Sequence, residues 1–304
     1  LFSVPLAQTE IHRMMPKKFN STGTCYPTLH YMADISAKVD AIMSMVVGGE
    51  YFTINRPRQY GKTTMLATLN DTLSSSSAYS PIRMNFQGID SKWHETDAAF
   101  AQMVVSQMKT TLEYQDKQLF EVIQEKEAEL DGMDGLSRLI THLAHRSKKK
   151  LVLLIDEVDA SSNYWPFLRF LGMLRSKYLD RFSPQHATFH SVVLAGVHDV
   201  KSLKSRIRPG EDNTGQYNSP WNIAADFKVT MSFLPEEIVP MLEDFAQEQH
   251  VQLNAPHLAG RLYYYTSGYP FLVSKLCKIM AEEILLAKTE KVLKSKRKGE
   301  LTDF

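Results

Sequence analysis

The sequence is short of cysteine, carries no surplus of charge of either sign and has no long apolar run. Its 304 residues include two cysteines, Cys25 and Cys277. Two thiols build neither a disulfide framework nor a four-cysteine zinc site, and they suit a reduced, cytoplasmic setting. The 35 lysines and arginines stand against 34 acidic residues, a formal net charge of +1. That balance gives no global pull toward nucleic acid or an anionic membrane. No apolar stretch reaches the length needed to span a bilayer, so no membrane partner is expected. The opening "LFSVPLAQTE" lacks the basic start and long apolar centre of a secretion signal. It begins with Leu1, which makes a piece of a longer protein the expectation. Hydrophobic residues at 43% and charged residues at 23% describe an ordinary globular chain, long enough for one large domain or two small ones.

Pro5, Pro16, Gly23 and Pro27 make residues 1–33 irregular. The stretch from Asp34 to Gly49 predicts a helix with Asp34 as cap and Gly48 as stop, burying Ile35, Val39, Ile42, Met43 and Val46 on one face. Strands are predicted at 50–55, 82–87, 151–156 and 189–196, with a last one within 223–231. "SSSSAYSP" (74–81) is a predicted loop, and a Gly/Asn/Pro-rich segment covers 209–220. Helical stretches fall at 62–73, 95–115, 117–130, 134–146 and 164–180. "LVLLID" (151–156) is apolar without alternation, the pattern of a strand buried on both faces. Strands alternating with helices predict an α/β fold with a mainly parallel sheet. From Pro235 the pattern is helical throughout. The expected organisation is an N-terminal segment (1–33), a core (34–233), and a smaller helical lid subdomain with a basic tail (234–304).

"RPRQYGKT" (56–63) matches the phosphate-loop pattern G-x-x-x-x-G-K-[ST] at all but the first position. It lies between a predicted strand and a predicted helix, as that chemistry requires. Gly61 lets the backbone curl so that successive N–H groups face phosphate. Lys62 supplies a point charge to the β- and γ-phosphates, the Thr63 hydroxyl is a Mg²⁺ ligand, and the helix start is attractive to anions. Arg58, Gln59, Tyr60 and Thr64 complete the candidate nucleotide contacts, with Arg58 adding charge. Arg56 stands where glycine usually eases the turn. The partner motif is "LVLLIDEVD" (151–159). Asp156, at the end of an apolar strand, is the second candidate metal residue. Glu157 is the candidate general base. The Asp-Glu order favours ATP hydrolysis, and no N-K-x-D sequence for reading guanine is present.

On these residues the chain resembles the AAA-like ATPases of bacteria and archaea, related to the STAND class of NTPase switches. Longer members often carry a PD-(D/E)XK nuclease-like domain. In that family the loop often reads R-P-R-x-[FY]-G-K-[ST], so Arg56 is a family trait. The resemblance runs from about Lys18 to about Ala287. It implies a P-loop NTPase core with ATP and Mg²⁺ as cofactors. It places the adenine near the N-terminal segment, with His30, Tyr31 and Met32 as pocket candidates. It reads "FHSVVLAGVHDVKSL" (189–203) as the sensor strand and its loop, and "TSGYPFLVSKLC" (266–277) as a lid motif whose Gly268 and Pro270 approach the nucleotide. No complete nuclease motif is visible, and the charged "QEKEAELD" (124–131) reads as a solvated helix face.

The expected activity is that of a Mg²⁺-dependent ATPase, weak in isolation, in which hydrolysis switches core and lid through Gly268–Pro270. The alternative is a non-hydrolysing nucleotide-binding scaffold, the regulatory part of a nuclease or defence protein. A protein partner or a second copy is compatible with either. Arg206 or Arg208 is a candidate arginine finger, and His198 and Asp199 are candidates to sense the γ-phosphate. His142 and His145 share a helix face without a third metal ligand. The basic stretches "RSKKK" (146–150) and "KVLKSKRK" (291–298) lack interleaved aromatics, so nucleic acid is not indicated. "YYY" (263–265) is expected to pack.

Overall fold

A computed structural model describes residues 16–198, Val200 and residues 220–300. Arg206, Arg208, Asp199 and most of the 209–220 segment lie outside the described residues. The chain divides into two compact units, here called the sheet unit and the helical unit. The sheet unit comprises Lys38–Arg58 and Met65–Thr230. The helical unit comprises the chain up to Ala37, the stretch Gln59–Thr64, and the chain from Met231 onward.

The sheet unit is built on four parallel strands: β1 (Tyr51–Asn55), β2 (Tyr79–Asn85), β3 (Lys150–Asp156) and β4 (Ser191–Gly196). Their spatial order is β1-β4-β3-β2, so β2–β3 and β3–β4 are neighbours in both chain and sheet while β1 and β2 lie at opposite edges, and every connection is a crossover because all strands are parallel. The register sets Asn55 beside Gly196 and Asn85 beside Asp156, which brings the C-terminal ends of the strands to one edge. The apolar run of β3 is buried from Leu151 to Asp156. Leu151, Leu153, Ile155, Val192 and Leu194 pack with Phe100, Met108, Leu136, Phe167 and Leu171 in one core. The alternate residues Val152, Leu154, Val193 and Ala195 are equally buried. Both faces are therefore covered, as parallel sheets require.

The helices around the sheet are α1 (Ser36–Val47), α2 (Lys62–Ser74), α3 (Asp97–Gln115), α4 (Lys117–Lys126), α5 (Met133–Arg146) and α6 (Trp165–Leu179). In α5 the residues Met133, Leu136, Leu139, Ile140 and Leu143 recur at helical spacing and are buried. Each contributes about 1.5–3 kcal/mol by leaving water. Asp116 stops α3 and caps α4, its side chain accepting the Leu119 N–H at 3.1 Å.

Two sequence expectations shift here. The predicted loop 74–81 overlaps β2, which contains Pro81. β2 is an edge strand, and proline is tolerated there because an edge leaves one row of N–H groups unpaired. The predicted last strand is reduced to one parallel bridge, Phe52 with Ala225, made by the Ala225 N–H to the Tyr51 carbonyl at 2.8 Å.

The helical unit holds α7 (Pro235–Glu248), α8 (Ala255–Thr266) and α9 (Pro270–Glu300). Its core joins Ile238, Leu242, Phe245, Leu262, Val273 and Cys277 to Phe19 and Tyr31 of the N-terminal segment. Gly268 sits at φ +71°, and a Cβ there would lie 1.9 Å from the Phe233 carbonyl oxygen, so only glycine fits. The Gly268 carbonyl accepts the Phe233 N–H at 2.8 Å. The tyrosine run expected to pack is exposed instead, Tyr264 at 76%. The helix buries Leu262 and Thr266 and turns Tyr264 and Tyr265 outward. Among the described residues both cysteines are free, and no helix is long and apolar enough to cross a membrane.

Candidate functional site

At the C-terminal edge of the sheet, β3 ends on Asp156, which has no exposed surface. One of its oxygens, Oδ1, accepts the Glu157 N–H at 3.0 Å. The other, Oδ2, is buried with no hydrogen-bond partner among the described residues. A buried carboxylate oxygen left without a partner is costly, so such a group calls for a water or a cation beside it. Glu157 follows at φ 54°, ψ 42°, a left-handed conformation for a side chain that gains nothing from it locally. Strain of this kind costs on the order of 1–3 kcal/mol and clusters at functional sites. It turns the chain off the strand into the short helical turn Val158–Ala160.

Asp159 has a role that the spacing of acids did not reveal. Its carboxylate accepts the backbone N–H of Val197 and, at 3.0 Å, that of His198, where the chain leaves β4. Gly196 makes room for it, since a Cβ there would meet Asp159 Oδ2 at 2.8 Å and a Val158 methyl at 2.9 Å. The loop expected to sense the γ-phosphate is thus held by the third acid of "DEVD".

Arg56 is equally well tied within the sheet unit. Its backbone N–H reaches the Gly196 carbonyl at 3.2 Å. One guanidinium nitrogen donates to the Asn55 carbonyl at 2.9 Å and the other to the Val229 carbonyl at 2.8 Å. The guanidinium lies 5.1 Å from the centre of the Phe227 ring, which stacks on Phe52. The arginine at the first loop position therefore fastens the segment that runs beside β1.

In the helical unit, Gln59 and Gly61 take positive φ values of 63° and 75° before α2 begins at Lys62. A Cβ at Gly61 would meet nothing within 4 Å, so its backbone conformation rather than crowding calls for glycine. Lys62 is 5% exposed, and Thr63 is half-buried. The Thr64 hydroxyl accepts the Cys25 N–H at 3.1 Å, joining the N-terminal segment to the helix start. The Tyr60 ring lies 4.8 Å from Tyr269, and the Tyr269 hydroxyl donates to Gln59 at 3.3 Å. Pro270 opens α9 directly after Tyr269.

The adenine candidates are placed as follows. His30 is buried, and its Nδ1 accepts the Tyr26 N–H at 2.9 Å, which puts the proton of the neutral ring on Nε2. Burial, then the Lys18 charge, holds its pKa below the ordinary value. Tyr31 packs between Phe19 and Phe245, at 4.8 and 5.4 Å, and its hydroxyl accepts from Gln249 at 3.2 Å. Its ring is part of the helical core.

Among the described residues no group of three His, Cys, Asp or Glu could hold a metal. A Mg²⁺ bound with phosphate and water needs only one or two protein oxygens. Asp156 Oδ2 fits that demand.

A parallel sheet in this order, a Gly-Lys-Thr turn opening a helix after β1, and an acidic pair ending β3 define an α/β P-loop NTPase fold. A family profile described as AAA-like domain matches residues 27–298, so the chain belongs to the AAA-like domain family, which implies nucleotide binding. The structure of the Orc1 protein of Aeropyrum pernix in complex with DNA is similar over 83% of this chain and 60% of that one, with a TM-score of 0.45 and 10% identity. The chain thus spans 60% of that protein chain's length. Comparison with curated proteins gives no match.

Proposed function

We propose that this chain binds ATP with Mg²⁺ and hydrolyses it, and that hydrolysis drives a conformational switch. The observation that carries the reading is Asp156, fully buried with one carboxylate oxygen lacking a partner among the described residues and followed by a strained Glu157. In this reading the turn from Gln59 to Gly61 offers its N–H groups to the phosphates, with Lys62 adding charge. Thr63 and Asp156 are the oxygens that would hold Mg²⁺, which when bound neutralises charge developing on the transferred phosphoryl group. Glu157 accepts a proton from the attacking water. Tyr269, in contact with Gln59 and Tyr60, links the phosphate loop to the start of α9 at Pro270, and making or breaking that contact would carry the switch.

Equilibrium binding of a fluorescent ATP analogue, with Mg²⁺ or with EDTA, tests the cofactor assignment. The wild type should bind at least about tenfold more tightly with Mg²⁺, and Asp156→Asn should lose that increment while keeping its EDTA affinity. Equal binding by the wild type with and without Mg²⁺ would overturn the assignment.

A further inference from the structure

The N-terminal ends of the same strands carry a second feature, independent of the nucleotide reading. A cleft of about 660 Å³ opens there, lined by Lys148, Lys149, Lys150, Arg181, Phe182 and His190 among others, with no aspartate or glutamate in its wall. Its size falls in the ~300–1,000 Å³ range of ligand sites. Lys148, Lys149 and Lys150 are exposed. No carboxylate among the described residues pairs with them or with Arg181; Lys149 donates to the Ser76 carbonyl at 2.9 Å, and Lys150 lies 5.9 Å from the Tyr79 ring centre. Burial, and then the charges of Lys150 and Arg181, hold the His190 pKa below its ordinary value, as an electropositive wall should.

The fold also supplies the aromatics missing from "RSKKK". The Arg181 guanidinium lies 3.8 Å from the Tyr178 ring centre and 4.6 Å from that of Phe182. Phe182 is 87% exposed. A ring this exposed contributes little to the core, yet it stands beside a cation at the rim of a basic cleft.

We propose that this cleft binds single-stranded nucleic acid, with backbone phosphates along Lys148–Lys150 and an unstacked base on the Phe182 ring. Lysines track phosphates without reading sequence, and an exposed aromatic beside arginine is a stacking platform that every base fits. A duplex keeps its bases stacked and leaves the ring unused. A peptide of acidic residues alone satisfies the lysines but gives the ring no aromatic partner.

The test uses the full chain with excess ADP, so that the phosphate loop is occupied, and fluorescein-labelled 20-mers of dT and rU, read by anisotropy across a salt series. Binding of either oligomer supports the site. The slope of log affinity against log salt should flatten by about 0.7 for each lysine changed to glutamine at 148, 149 and 150. Phe182→Ala should weaken binding about 5- to 100-fold with little change in that slope; its exposure makes misfolding no explanation. Lys117→Gln, at an exposed lysine on α4, should leave binding within twofold. No binding by the wild type, full binding by Phe182→Ala, or equal binding of poly-glutamate would each overturn the proposal.

Discussion

The Arg56 guanidinium stacks 5.1 Å from the Phe227 ring centre while donating to the Val229 carbonyl at 2.8 Å. The residue that looks like a fault in the phosphate loop is a clasp between β1 and the segment beside it. Arg56→Gly restores the common loop pattern but removes the guanidinium's hydrogen bonds to Asn55 and Val229 and a cation–π contact. It should lower stability by about 1–3 kcal/mol and leave nucleotide affinity within a few-fold. Thermal unfolding and nucleotide titration of the same variant check both halves; an unchanged midpoint with weakened binding would move Arg56 into the phosphate cradle.

The Asp159 carboxylate and the space at Gly196 act together. Gly196→Ala should destabilise by about 1–3 kcal/mol through overpacking. Asp159→Asn, which turns one acceptor into a donor facing backbone N–H groups, should cost a similar amount. Because they share one contact, the double variant should fall short of the sum. Urea unfolding of the four proteins measures this, and strict additivity would show that the two residues do not cooperate.

Lys177 is 2% exposed and donates to Thr141 at 2.6 Å and to the Ala187 carbonyl at 3.3 Å, with no carboxylate pairing it among the described residues. Burial lowers its pKa from 10.5 to about 8. Between those values the unfolded chain holds a proton that the folded chain has released, so this group makes stability rise with pH through that window. At pH 7 the folded chain carries the cost of a buried charge. Lys177→Met should therefore be about 1–3 kcal/mol more stable at pH 7, with the gap to wild type narrowing by pH 10. Denaturant midpoints at pH 7, 8, 9 and 10 measure the difference, in which the other titrating groups cancel; parallel curves would show that the lysine is not desolvated.

The readable parts of this molecule were those whose chemistry is local. The Gly-Lys-Thr turn and the run ending on Asp156 each carry their reason within a few residues. Arg56 meets Val229 across 173 positions, and no spacing announces that contact. Pro81 read as a breaker because edge strands are a property of the sheet's order. Tyr31 is an adenine-pocket candidate on the family resemblance alone, and its packing against Phe245 has no signal in the residues around it. Phe182 and the lysines of "RSKKK" are likewise distant in sequence and share one cleft.

The most direct measurement is phosphate release from Mg·ATP by the purified chain beside Glu157→Gln, with ATP binding followed in parallel. The account predicts turnover by the wild type, and at least about a hundredfold less by the variant, with ATP affinity retained. ATP bound by both proteins and turned over by neither, or turnover undiminished in Glu157→Gln, would contradict it.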